Sequence, residues 1–116
     1  MEKIILNGKT YVEETTAKLS DMKIVRSYAA GVFYGEIVSE QHEVSGLVVT
    51  MKNARRLWKW VGAASLSQVA LEGVKNKEDS MFPAKVPAVK LMNVVEILDM
   101  TEEAVKNLDA VKIWKM

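Results

Sequence analysis

A chain of 116 residues, 49% apolar and 27% charged, has room for one domain with a single core and not for a catalytic domain beside a regulatory one. It has no cysteine, which excludes disulfides, thiolate metal sites and cysteine nucleophiles, and its apolar runs fall far short of the ~18 residues of a membrane span. The net charge of +1 disfavours long nucleic acid, whose backbone calls for a strong basic excess, and leaves room for a small anion held by a few well-placed cations.

From the N-terminus, Lys3 to Val12 carries an Asn7-Gly8 pair between β-favouring runs, the pattern of a hairpin whose type I′ turn needs positive φ at both centres. Met1-Glu2-Lys3 leads into this run without the long apolar region and small-residue cleavage site of a secretory signal, so the protein is expected to stay in the cytoplasm. Thr15 to Ser20 reads as a polar connector, with room for a helical turn. Met22 to Tyr28 alternates as a strand, Ala29-Ala30-Gly31 punctuates it, and Val32 to Val38 reads as a second strand with Gly35 as a bulge. A turn is expected around Ser39 to Glu43, followed by a strand from Val44 to Thr50 that runs on into Lys52 to Trp60.

The period changes in Val61 to Gly73, where apolar residues at 66, 69 and 70 and a terminal glycine predict a short helix. Lys75 to Asp79 is a charged loop, and the prolines of Met81-Phe82-Pro83 and Val86-Pro87 favour extended, partly exposed backbone. Val89 to Leu98 is strongly β-prone, and Asp99 or Thr101 caps a helix through Leu108 with Glu102 and Glu103 in its first turn. Val111-Lys112-Ile113-Trp114 alternates like a last strand. The expected fold is a single α+β domain over residues 1–116, an antiparallel sheet of about five or six strands with two short helices.

Two of the three arginines and two of the three tryptophans stand within Lys52-Asn53-Ala54-Arg55-Arg56-Leu57-Trp58-Lys59-Trp60. Guanidinium offers planar, paired donors suited to phosphate, and indole offers a face for a base. The same composition also suits an amphipathic strand that sends its indoles into the core and its charged heads to water. In extended backbone Arg56, Trp58 and Trp60 share one face and Arg55, Leu57 and Lys59 the other, so both arginines reach one ligand only across a bend or bulge. Arg26 would add a third guanidinium if its strand lay next to this one. Phe82, an aromatic in a polar, proline-flanked loop, reads equally as a stacking lid or as core.

Catalytic groups are not evident. His42, the only histidine, lies in a polar segment with no partners for a triad or a metal site, and the paired carboxylates fall in turns and helix starts where solvation and the helix dipole explain them. There is no glycine-rich phosphate loop. The expectation is a binding protein, not an enzyme, with no metal and no cofactor.

Residues 23–35 (Lys23-Ile24-Val25-Arg26-Ser27-Tyr28-Ala29-Ala30-Gly31-Val32-Phe33-Tyr34-Gly35) and residues 52–68, from Lys52 to Gln68, resemble small phage and prophage proteins, in particular the first type of anti-Thoeris family, over most of residues 22 to 114. The resemblance implies a phage-encoded sponge acting in the host-cell cytoplasm. Such a protein blocks host defence by sequestering, without cleavage, a cyclic ADP-ribose isomer made by a TIR-domain enzyme. It also implies a homo-oligomer, at least a dimer, with pockets between subunits, and in some members uptake of cyclic oligonucleotides. Carried over residue by residue, it implies Arg26 and Arg55 or Arg56 as phosphate and ribose donors, Phe82 stacked on adenine, and Asn93 touching base or ribose. The C-terminal region departs from the family's pattern in having no arginine, which leaves Lys106 or Lys112 for any terminal cationic contact. The alternative is a phage single-stranded nucleic-acid or protein-interaction module using the same Arg-Trp strand. Trp58, Trp60, Phe33, Tyr34 and the methionines are also more large apolar surface than a thin α+β core hides, which independently points to self-association.

Overall fold

Residues 19–56 form three long antiparallel strands in succession, and a fourth, arriving after a helix, closes them. The computed structural model describes residues 3–6, 9–12 and 18–115. β1 (Lys3–Leu6) and β2 (Lys9–Val12) pair with Leu6 opposite Lys9, the hairpin expected from Asn7-Gly8, which itself lies outside the described residues. β3 (Leu19–Ser27), β4 (Gly31–Glu43), β5 (Gly46–Arg56) and β6 (Val86–Thr101) form a closed antiparallel barrel in which β6 pairs back onto β3. α1 (Leu66–Glu72) links β5 to β6, and α2 (Glu102–Asp109) follows β6.

The fold is therefore α+β with an antiparallel sheet, but that sheet has four strands where five or six were expected. The N-terminal hairpin is a separate two-stranded sheet, and Val111 to Trp114 makes one parallel bridge, Ile113 to Phe82, and no strand. The expected turn at Ser39 to Glu43 is strand as well: β4 runs to Glu43 and the turn is Val44-Ser45.

β3 and β4 bury both faces, because their side chains alternate between two cores. Ile24, Val32 and Tyr34 point toward the helices, where they meet Val69, Leu108 and Phe82, while Val25 and Phe33 point into the barrel with Val49, Met51 and Leu91. Gly35 is where β4 and β5 come closest: a Cβ there would lie 2.9 Å from the Ala54 Cα. The β4–β5 register shifts beside it, between Tyr34 and Glu36, and across from it Asn53 adopts φ 51°, a left-handed conformation that asparagine tolerates better than most residues. The extra residue resets the alternation of β5, so Met51 and Ala54 both face the barrel interior.

Both expected helices are present, the first shorter than Val61 to Gly73, since it starts only at Leu66. Ser65 caps α1, its hydroxyl accepting from the Gln68 N–H, and Gly73 ends it at φ 80°. Thr101, not Asp99, caps α2: its Oγ1 accepts from the Ala104 N–H at 3.0 Å and donates to the Leu71 carbonyl at 2.7 Å, tying the two helices together. Asp99 pairs instead with Lys23 across β3 and β6. β6 changes partner midway, Val94 standing opposite both Leu47 of β5 and Ser27 of β3, and Asn93 takes φ 53° at that corner. No helix among the described residues is long and apolar enough to cross a membrane.

Candidate functional site

β5 leaves the barrel with Arg55 and Arg56 on opposite faces, opposite Tyr34 and Phe33 respectively. That division gives the two arginines different work.

Arg55 is 3% exposed and faces the helical core. Its Nε donates to the Pro83 carbonyl at 2.7 Å, its Nη1 to Leu108 at 3.0 Å, and its Nη2 to Phe82 at 3.1 Å and Val111 at 2.7 Å. Leu108 lies at the C-terminal end of α2, where the helix dipole favours a cation. The guanidinium also sits 5.4 Å from the Phe82 ring centroid. Beside it, the Tyr34 hydroxyl donates to Asp109 Oδ1 at 2.7 Å, and Lys85 lies 3.3 Å from the same oxygen. Burial pushes the Tyr34 hydroxyl far above the ordinary tyrosine range, with Asp109 adding to the effect and Arg55 opposing it. Arg55 is thus a staple joining β5, the 82–83 segment and the end of α2, with four of its N–H donors given to backbone carbonyls.

Arg56 lies toward the surface, at the end of the barrel. Its guanidinium stacks over Phe33 at 4.3 Å from the ring centroid, and its Nη1 donates to the Ala30 carbonyl in the β3–β4 turn. The segment beyond it is held in place by backbone bonds. Lys59 and Met81 exchange N–H to carbonyl bonds at 3.2 and 2.8 Å, and the Trp114 N–H donates to Phe82 at 2.9 Å. Residues 57–60, 81–83 and 113–114 therefore run side by side, which brings Trp58, Pro83 and Trp114 together around Arg56. Two clefts result, each of about 340 Å³: one lined by Ala29 to Val32, Arg56, Leu57, Trp58 and Trp60, the other by Arg56, Trp58, Pro83 and Trp114. Trp58 is 63% exposed and Trp114 38%.

The expected site residues do not converge. Arg26 is on β3, whose neighbours are β4 and β6, and its Nε pairs with Glu96 at 3.0 Å on the exposed surface. Phe82, weighed as a stacking lid, is 0% exposed and belongs to the core, because the 57–60 segment, the C-terminal segment and Arg55 close over it. Asn93 is exposed at the corner of β6, its carbonyl accepting from the Tyr28 N–H at 3.1 Å, and lines neither cleft. Of the five, Arg56 alone lines the clefts. Trp58 and Trp60 line the first cleft with it, but so does Leu57, which alternation put on the other face, because the chain bends at Trp58 after β5 ends; Pro83 and Trp114 were not expected there. The only sign of Trp114's role was an indole between lysines, Lys112 and Lys115, near the end of the chain.

A cavity of about 370 Å³ at the end of α2, lined by Arg55, Lys85, Asp109 and Ile113 among others, has its cations engaged by carbonyls and by Asp109. His42 is exposed near the end of β4.

No curated protein and no solved structure matches the chain. A family described as "Domain of unknown function (DUF6948)" matches residues 21–108, a span that takes in all but the first two residues of the barrel, α1, all but the last residue of α2, Arg56 and Trp58 but stops short of Trp114. The chain belongs to this DUF6948 domain family.

Proposed function

We propose that the protein is a non-catalytic binding protein for a small ligand that joins a flat ring to an oxyanion, a nucleotide by chemical class, held at Arg56 and Trp58. The observation that carries this is a guanidinium fixed by Phe33 and Ala30 beside an indole that is mostly exposed and borders two clefts. Anion and ring would be recognised by neighbouring residues of one segment, whose backbone is tied to Met81 just beyond Trp58.

The anti-Thoeris resemblance narrows the ligand to a cyclic ADP-ribose isomer and the role to sequestration of a host defence signal by a phage. On this reading Arg55 and Phe82 stiffen the site from behind, and Arg56 is the arginine that meets the phosphate. The test is to incubate the protein with cyclic ADP-ribose isomers, remove the free ligand, denature by heat and identify what is released. Intact nucleotide supports the reading, and an altered product would identify an enzyme.

A protein-interaction module is the second reading, favoured by the largely apolar cleft between Trp58, Pro83 and Trp114 and by the exposed Ile113 next to it. Failure to retain any nucleotide, with Trp58→Ala abolishing capture of a protein partner, is its expected signature.

A further inference from the structure

Strand β4 outruns one of its two neighbours. Its pairing with β3 ends at Gly35 opposite Lys23, whereas its pairing with β5 continues to Glu43 opposite Gly46. Past the extra residue at Val38, Ser39 to Glu43 stand opposite Thr50 to Gly46 in regular register, and on their far side the backbone has no backbone partner among the described residues. All five are exposed, although Val49 and Val48, opposite Glu40 and Gln41, are buried. A strand edge left open in this way is a template for one more strand.

The corresponding edge of β6 is guarded. Val86 to Leu91 pair with β5 alone, since β3 joins β6 only from Val94 onward. That stretch carries Pro87, which has no N–H to offer, and Lys90, and just beyond it the Met92 and Asn93 carbonyls accept from the Ser27 hydroxyl and the Tyr28 N–H. Ser39 to Glu43 holds neither proline nor lysine. It holds Glu40 and Glu43, which form no ion pair with any described residue. Two copies of this edge laid together would crowd glutamates onto one short ladder. The charge that opposes self-pairing favours a strand of opposite sign.

We infer that Ser39 to Glu43 is a docking edge for an extended segment of another protein, which adds to β4 as one more strand and carries Lys or Arg at two positions three apart. Strands pair residue for residue, so cations opposite Glu40 and Glu43 share their spacing and, like them, point to opposite faces. No residue of this edge lines either Arg56 cleft, so the two surfaces are separate.

Amide NMR titration of the isotope-labelled protein with three end-blocked hexapeptides tests this: Thr-Lys-Thr-Val-Lys-Thr, the same peptide with glutamate for both lysines, and the same with proline for both central residues. The lysine peptide is expected to shift the amides of residues 39–43 and to bind at least about fivefold more tightly than the glutamate peptide, the sum of two cross-strand charge pairs gained against two opposed. The proline peptide keeps both charges but cannot complete the ladder, and should leave those amides where they are. Glu40→Lys combined with Glu43→Lys should reverse the preference, to the glutamate peptide. Amides 39–43 unmoved by the lysine peptide overturn the docking edge. Equal effects of the lysine and proline peptides overturn strand addition, and equal binding of the lysine and glutamate peptides overturns the basic partner. An unreversed preference in the doubly substituted chain overturns the pairing with Glu40 and Glu43. The comparison of peptides on the wild-type protein needs no variant to fold.

Discussion

Arg55 and Arg56 are adjacent and chemically identical, yet one is a core residue and the other a surface one, and substitution should separate them. Arg55→Ala leaves the carbonyls of Pro83 and Val111 without their donor, while those of Phe82 and Leu108 keep the N–H groups of Trp114 and Val111. An unsatisfied buried polar group costs about 1–3 kcal/mol, so a loss of about 3 kcal/mol or more is expected in urea unfolding. Arg56→Ala should cost less than about 1 kcal/mol of stability while weakening nucleotide retention about tenfold. Phe82→Ala belongs with Arg55: removing a core phenylalanine costs about 3–5 kcal/mol, and a nearly unchanged melt of the ligand-free protein would contradict its placement. Tyr34 adds a pH signature. Its folded-state pKa is raised by burial above the ordinary ~10, so its contribution is fully present below that pH. Above it the unfolded chain loses the phenolic proton while the folded one keeps it, and stability falls as pH rises. Tyr34→Phe should be less stable at neutral pH, having lost the bond to Asp109, and should decline less steeply in alkali.

At the scale of elements, what could be read were the features with a local physical cause. The register shift beside Gly35, a helix ending at Gly73 and the Thr101 cap, one of two candidates, each rest on one residue's conformational or hydrogen-bonding demand, although the extra residue of the bulge is in β5 and the first helix starts later than Val61. Features set by distant partners were not readable. Ser39 to Glu43 looks like a turn by composition, but Glu40, Gln41 and His42 continue β4 because Val49, Val48 and Leu47 of β5 lie opposite them. Val111 to Trp114 alternates like a strand, yet only Phe82 is placed to bridge it. The same cause explains the site. That Arg55 and Arg56 face opposite ways follows from alternation, but which one turns inward depends on the extra residue at Asn53 and on the close approach at Gly35. Gly35→Ala should therefore disturb more than its volume suggests. The added methyl meets Ala54 backbone at 2.9 Å, and an overpacking cost of about 1–3 kcal/mol is expected by thermal unfolding, together with weaker ligand binding as the Arg56 end of β5 shifts. Unchanged stability and binding would show that the bulge does not set the site.

For the whole molecule, two cores share the β3–β4 wall, one inside the barrel and one beneath the helices, and the Arg56 clefts open at one end of that wall. Apolar surface also remains elsewhere. Tyr28 is 80%, Met92 63% and Val95 50% exposed, and none of the three lines either Arg56 cleft. Tyr28 and Met92 are neighbours because the Ser27 hydroxyl donates to the Met92 carbonyl at 2.6 Å and the Tyr28 N–H to the Asn93 carbonyl. Large apolar side chains exposed on β6 and the turn beside it are a common mark of an interface, and in a chain expected to self-associate the simplest occupant is a second copy. Light scattering at micromolar concentration should give at least twice the 13.0 kDa chain mass. Met92→Glu combined with Val95→Glu should reduce the particle to a single chain, since like charges would face each other across a twofold interface. Because the patch and the clefts share no residue, that monomer should still retain nucleotide. Loss of binding on dissociation would instead mean that the ligand needs groups from both copies, and the pocket would have to be sought between subunits and not around Trp58.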